Sequence, residues 1–330
     1  MPYIPERKPP EPEVVPEETE RKQPEGQAPA LRRLWPVLLC LSAILVIYGA
    51  VKLIGYGAEY VSSRKTGREL QEIYRETEPP AEEPTPETEE TVSPAPSPVA
   101  TGTPETTNTP APAKGKSDRL QPMAYPDNPG LKVSERFIRL RKKSGYIIGW
   151  LSMDGVEEAV ALKDNTFFLN HDASGKRNSN GAIFLDEWTD LLKRPYTICL
   201  YGHNMKSGNM FGRLKKYLDR AYYTQHRFVT FDSLYEEGKF VVFAAAEFST
   251  VSGTATYFDL WSLSSDSRKV REAAIRRLIS MTPYDSVLDV REDEQILLLV
   301  TCIDTDTDRL VVAARRMREG ESEDKLAIRR

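Results

Sequence analysis

The sequence predicts a mostly β fold with flanking helices: an eight-stranded, closed or nearly closed barrel, preceded by a transmembrane helix and a disordered stalk. Three observations carry this. Eight short runs rich in Val, Ile, Phe and Tyr, parted by Gly, Asn, Asp and Ser, fill the C-terminal part of the chain. An uncharged apolar run stands by itself near the N-terminus. A stretch dominated by Pro, Thr and Glu separates the two.

Residues 1–33 read as a disordered tail, with eight prolines in the first 30 positions and no apolar periodicity. Leu34 to Val51 follows without a charge. At about 1.5 Å per residue these 18 residues span about 27 Å, close to the hydrocarbon thickness of a bilayer. Residues 34–54 are therefore assigned as an anchor. Pro36 sits near its start, where a helix tolerates it. A buried core helix would not be flanked by disordered and polar segments. A cleaved signal peptide competes too, but the apolar run is long and 33 residues precede it. An uncleaved anchor is the expectation. Basic residues do not orient it, since Arg21, Lys22, Arg32 and Arg33 precede the run while Lys52, Arg64, Lys65 and Arg68 follow it. Residues 55–76 form a juxtamembrane segment.

Residues 77–118 are a linker. Between 77 and 117 there are ten prolines, and eight glutamates lie between Glu76 and Glu105. Such a segment cannot bury enough apolar surface to fold. As polyproline II at about 3.1 Å per residue it reaches at most about 127 Å, which suits a stalk. A disordered partner-binding tail is the other reading. The net charge of −4 hides an asymmetry, because residues 106–330 carry +3. That is too weak to argue for nucleic acid, though it suits an anionic envelope surface.

Residues 119–320 form one domain, followed by a polar tail at 321–330. Its strands are expected at Tyr146–Met153, Glu158–Leu162, Gly181–Asp186, Tyr196–Tyr201, Phe228–Asp232, Lys239–Glu247, Gln295–Thr301 and Arg309–Ala314. Helices are expected at Ser134–Lys143, Met210–Leu218 and Asp266–Met281. In the last, Val270, Ala274, Leu278 and Met281 share a stripe away from Arg268, Lys269, Arg276 and Arg277.

The chain has three cysteines and three histidines. Cys40 lies in the apolar run and Cys199 inside a strand, whereas Cys302 ends one. No spacing suggests a metal site, a cofactor or a disulfide framework. His171 and His226 stand in polar turns, whereas His203 closes an apolar run in Gly202-His203-Asn204. Arg309 opens the run after Cys302, across a short polar loop. A thiol nucleophile needs a base or a cation nearby, and His203, Cys302 and Arg309 are the economical set. From the residues alone a structural role for each competes evenly with this reading.

Tyr201-Gly202-His203-Asn204-Met205, with Gly208, Met210, Phe211, Leu214 and Tyr217, closely resembles the histidine motif of class B sortases. Thr301-Cys302 and Arg309-Leu310-Val311-Val312 resemble their cysteine and arginine motifs. Gly149-Trp150-Leu151, Asp164 to Leu169, and Gly181 to Asp186 match upstream in the same order, so the likeness runs from about 130 to 316. The resemblance implies a sortase-like barrel and a membrane-anchored cysteine transpeptidase of Gram-positive bacteria, with its N-terminus cytoplasmic and its catalytic domain outside. Such an enzyme cleaves the C-terminal sorting signal of a surface protein through a thioacyl-enzyme. It then passes the protein to an amine on a peptidoglycan precursor or another acceptor. By motif, Cys302 is the nucleophile, His203 the proton carrier and Arg309 the oxyanion and substrate clamp. Asn165, Leu169, Tyr257 and Phe258 match groove positions that contact the signal.

Three departures accompany the match. Val300 stands where Ser is frequent, and Glu158-Ala159-Val160 where a Pro-Val pair is common. The loop between Cys302 and Arg309 is short and holds Asp304, Asp306 and Asp308, which read as a polar turn or a cation site. Two other functions compete. A pilin-polymerising sortase would have a lid, but no aromatic residue lies between Glu76 and Pro122 to plug a groove. An inactive sortase-like binding protein would not need His203, Cys302 and Arg309 together.

Overall fold

The computed structural model describes residues 28–76, 117–303 and 305–328. Most of the 1–33 tail and the 77–118 linker therefore lie outside the described residues. The chain divides into two compact units, residues 1–55 and 56–330.

The first unit contributes the start of helix α1 (Ala28–Arg75). Helix α1 holds the one candidate membrane span among the described residues, Trp35–Arg75, judged by length and apolar composition. The juxtamembrane segment is also helical, because α1 runs on to Arg75. In the second unit the end of α1 packs on the barrel. Leu70 is buried there, and the Tyr74 ring stacks on Trp150 at 4.4 Å. Arg136, on α2 (Glu135–Lys143), covers the other face of Tyr74 and bonds the Asp232 carboxylate at 3.2 Å. The Tyr74 hydroxyl bonds the same carboxylate.

Eight strands close the barrel: β1 (Ile147–Met153), β2 (Val156–Ala161), β3 (Ile183–Leu185), β4 (Thr197–Tyr201), β5 (Phe228–Ser233), β6 (Lys239–Ser249), β7 (Ile296–Ile303) and β8 (Thr305–Arg316). Their order is β1-β2-β3-β4-β7-β8-β6-β5, with β5 returning to β1. Every expected strand is present. Two pairs are parallel, β2 with β3 and β4 with β7.

Alternation sorts the side chains of β4, β7 and β8 into two layers. Ile198, Leu200, Leu297, Leu299, Leu310 and Val312 point into the barrel. Cys199, Leu298, Val300, Val311 and Ala313 point outward beneath Ala274, Ile275 and Leu278 of helix α4 (Arg268–Met281). The buried stripe of α4 is rotated from the expected one: Arg271 is fully buried, while Val270 is exposed. Periodicity misplaces it because Arg271 finds hydrogen-bond acceptors inside. Its guanidinium donates to the carbonyls of Leu263, Glu292 and Glu294 and to the Thr197 hydroxyl.

The expected helix over Met210–Leu218 is a turn followed by a short 3-10 segment, Leu214–Leu218. The chain doubles back here. A Cβ at Gly212 would sit 2.0 Å from the Met205 carbonyl, and Met210 takes a positive φ of 50°. A six-residue helix, α3 (Arg220–Gln225), follows. The last helix, α5 (Glu323–Leu326), falls in the expected polar tail.

Candidate active site

Strand pairing sets Cys302 beside Arg309 and carries the chain after β4 toward them. β4 and β7 run parallel with Tyr201 paired to Val300. The Gly202 N–H still donates to the Val300 carbonyl, and the Thr301 hydroxyl donates back to the Gly202 carbonyl at 2.7 Å. Continuing the register by two residues brings His203 level with Cys302. On the other side β8 runs antiparallel, and Cys302 is directly paired with Arg309. The set thus occupies one row across three neighbouring strand ends, with strands about 4.8 Å apart. All three sit at outward-facing positions, in step with Val300, Val311 and Tyr201. The polar loop expected between Cys302 and Arg309 is instead a hairpin, because β7 and β8 extend to Ile303 and Thr305. Pairing slips there from Cys302–Arg309 to Ile303–Thr305. Asp304 lies outside the described residues, and the cation reading of Asp304, Asp306 and Asp308 falls on this hairpin tip. Among the described residues no His, Cys, Asp or Glu cluster could hold a metal.

The two cysteines of the barrel contrast. Cys199 is 3 % exposed, and burial pushes its thiol up to about 12, so it stays protonated and shielded. Cys302 lies beyond the cover of α4 and is exposed. His203 is held from behind: Nε2 lies 2.7 Å from the Leu169 carbonyl oxygen. A carbonyl only accepts, so Nε2 carries the proton and Nδ1 is left to take or give one. The floor behind the ring is Gly181, at φ 64°. A Cβ there would come within 2.4 Å of the Phe168 carbonyl and 2.9 Å of His203 Cδ2, so a side chain would displace the ring. Arg309 bonds the Asp308 carbonyl at 3.0 Å. The neighbouring Thr250 clasps the same hairpin through the Thr307 carbonyl.

The other two histidines are placed elsewhere. His171 stacks on Phe167 at 3.9 Å, and His226 faces Asp154 at 3.5 Å. The expected groove residues divide in two. Leu169 is 44 % exposed and Tyr257 is 37 % exposed, so both present surface. Phe258 is 5 % exposed and packs edge-on against Phe248. Asn165 is held in place: its amide donates to Asp186 at 2.9 Å and accepts from the Glu187 N–H. Asp186 is itself buried, which raises its pKa. Val300, in place of a serine, is buried in the outer apolar layer.

Sequence reasoning missed the Leu169 carbonyl and the Asp186 buttress. The first has no side-chain signature. The second lies within the Gly181 to Asp186 motif, but its pairing with Asn165 is set only by the fold.

Residues 158–317 match the family profile described as Sortase domain. The chain is 27 % identical over 190 residues to sortase B of Staphylococcus aureus, covering 56 % of this chain and 75 % of that protein. It is 26 % identical over 190 residues to sortase B of Listeria monocytogenes, covering 56 % of this chain and 74 % of that protein. A crystal structure of sortase B from Bacillus anthracis superposes over 79 % of this chain and 98 % of its own, with a TM-score of 0.56 and 24 % identity, a likeness of fold. A Staphylococcus aureus sortase B–substrate complex aligns with 57 % of this chain and 88 % of its own, with a TM-score of 0.50 and 26 % identity.

Proposed function

We propose that the chain, whose residues 158–317 match the Sortase domain profile and which is similar to sortase B proteins, works as a cysteine transpeptidase on C-terminal sorting signals, through Cys302, His203 and Arg309. The observation that carries this is the single outward row formed by the ends of β4, β7 and β8.

The Cys302 thiolate attacks the carbonyl carbon of the scissile peptide bond. The Arg309 guanidinium donates to the developing oxyanion. His203 gives the proton from Nδ1 to the leaving amine, and the C–N bond breaks to leave a thioester on Sγ. An incoming amine then loses a proton to Nδ1 and attacks the thioester, re-forming an amide and releasing the thiolate. Throughout, the Leu169 carbonyl holds Nε2–H, so the ring keeps its orientation while Nδ1 cycles. Leu169 and Tyr257 offer surface to the signal and Asn165 a braced amide, while Phe258, next to Tyr257 in the chain, anchors that segment on Phe248. The acceptor is a peptidoglycan precursor or another primary amine. The apolar part of α1 serves as the membrane tether, with the barrel on the outer side.

The full chain in detergent, given a library of quenched sorting-signal peptides and an amine, should cleave a subset and join it to the amine. A thioester adduct should appear on Cys302 by mass spectrometry. Cys302→Ala should lower turnover by about a thousandfold or more. Full activity in that variant would sink the mechanism. A wild-type chain with neither turnover nor Cys302 alkylation would point to a binding protein on a sortase scaffold.

A further inference from the structure

We propose that Glu59 of α1 is a positioning residue for His203, acting through the turn formed by residues 178–181. The inference rests on the reading of His203 as the proton carrier.

Glu59 grips this turn twice. Its Oε2 accepts from the Ser179 N–H at 3.1 Å and from the Ser179 hydroxyl at 2.6 Å. Its backbone carbonyl accepts from the Asn178 side-chain amide at 3.2 Å. Bonds to a carboxylate are the stronger kind, and here one carboxylate oxygen takes two from a single serine.

The gripped residues hold the catalytic wall. Asn178 is 2 % exposed and serves as a junction. Its side-chain oxygen accepts from the Asn180 N–H, its N–H donates to the Asn170 carbonyl, and its carbonyl accepts from the Gly181 N–H. Gly181 is the residue whose absent side chain leaves room for His203. One residue on, the Ala182 N–H donates to the Phe168 carbonyl, beside the Leu169 carbonyl that accepts from His203 Nε2. The turn and the 167–170 segment thus form one hydrogen-bonded piece. The imidazole rests against that piece on one side and bonds to it on the other.

This gives Glu59 a role beyond fastening α1. A shift of about 1 Å in a catalytic group costs on the order of a hundredfold in rate, so a partial loosening of the wall is expected to cost about tenfold. Leu169, on the same piece, also offers surface to the donor peptide, so binding should weaken, but less than turnover.

The test uses the full chain in detergent micelles, labelled with ¹⁵N-histidine. Its three histidines give three sets of ring signals. In Glu59→Ala and in Ser179→Ala the His203 signals should move, while those of His171 and His226 stay. Glu59→Gln, whose amide oxygen still accepts, should leave His203 near its wild-type position. In turnover, Glu59→Ala should lower kcat about tenfold with a smaller rise in KM. The double variant with Ser179→Ala should be no slower. Unmoved His203 signals in Glu59→Ala overturn the inference even if the melting temperature falls, because the role is then only structural. Moved signals in a chain that turns over no donor peptide support the positioning and count against the transpeptidase reading instead.

Discussion

Helix α4 and the part of α1 beyond residue 56 both cover outer faces of the same barrel, and they are held by different chemistry. α4 sits on a dry layer, with Ala274, Ile275 and Leu278 against Phe243, Leu298 and Val311. Its one buried polar group, Arg271, is satisfied by carbonyls and a hydroxyl rather than by a counter-ion. Burial lowers that guanidinium to about 10, still charged at neutral pH. The end of α1 instead meets the barrel through carboxylates: Glu69 with Lys143, Glu157 with Gln71 and Arg75, Asp232 with Tyr74, and Glu158 beneath Gly67. One cover depends on neutral acceptors whose strength no titration alters. The other adds acids to the apolar docking of Leu70 and the Tyr74 ring.

Removing Arg271 should break the first cover most severely. Arg271→Met fills similar volume but leaves the Glu292 and Glu294 carbonyls without their donor, at about 1–3 kcal/mol for each group left unpaired, while the Leu263 carbonyl keeps the Thr197 hydroxyl. Denaturant unfolding should show a loss of about 3 kcal/mol or more. Cys199, under the same layer, should become open to alkylation without denaturant. A loss under about 1 kcal/mol with Cys199 still protected would mean that the apolar contacts alone hold α4. Tyr74→Ala should break the second cover by about 3 kcal/mol, through the lost stack on Trp150 and the cavity left behind. Tyr74→Phe should keep the stack and cost about 1 kcal/mol for the bonds to Asp232 and Arg136. Equal costs for the two variants would show that the ring does nothing the hydroxyl does not.

A smaller effect separates the covers by pH. Desolvation raises the Glu158 carboxyl from its ordinary 4.5 to about 7 in the folded chain. Between those values the unfolded chain binds fewer protons than the folded one. Stability from this group therefore falls as pH rises from about 4.5 to about 7 and is level above that. Arg64 and Arg68 line the same cleft. Melting curves of Glu158→Gln should lose this slope, whereas those of Arg271→Met should keep it. A slope that survives in Glu158→Gln would assign it to another acid.

The barrel was legible because its strands are apolar runs bounded by turn residues, and all eight fall within a few residues of where those runs lie. The row of Cys302, His203 and Arg309 was legible as motif residues at strand ends. Its geometry was not, since nothing local says that β4 lies parallel to β7. Arg271 was invisible because hydrophobic periodicity counts a buried arginine as a surface residue. The continuation of α1 to Arg75 was also hidden. Lys52 to Arg75 mixes polar and apolar residues without a strong stripe, and the helix is docked mainly by Leu70 and Tyr74. Asn165 was picked for its motif, but the fold adds that Asp186 braces it.

The docking of α1 also changes what chain length can do. Arg75 ends a helix fixed to the barrel, and the chain resumes beside α4, where Leu120 N–H bonds the Asp266 carbonyl and Arg268 N–H bonds the Asp118 carbonyl. Residues 77–116 therefore join two points of one compact unit. For such a connection, doubling the number of residues adds only about 0.6 kcal/mol of closure entropy. The connection can lengthen or shrink between relatives at almost no energetic penalty. It is a tolerant insertion point within that unit.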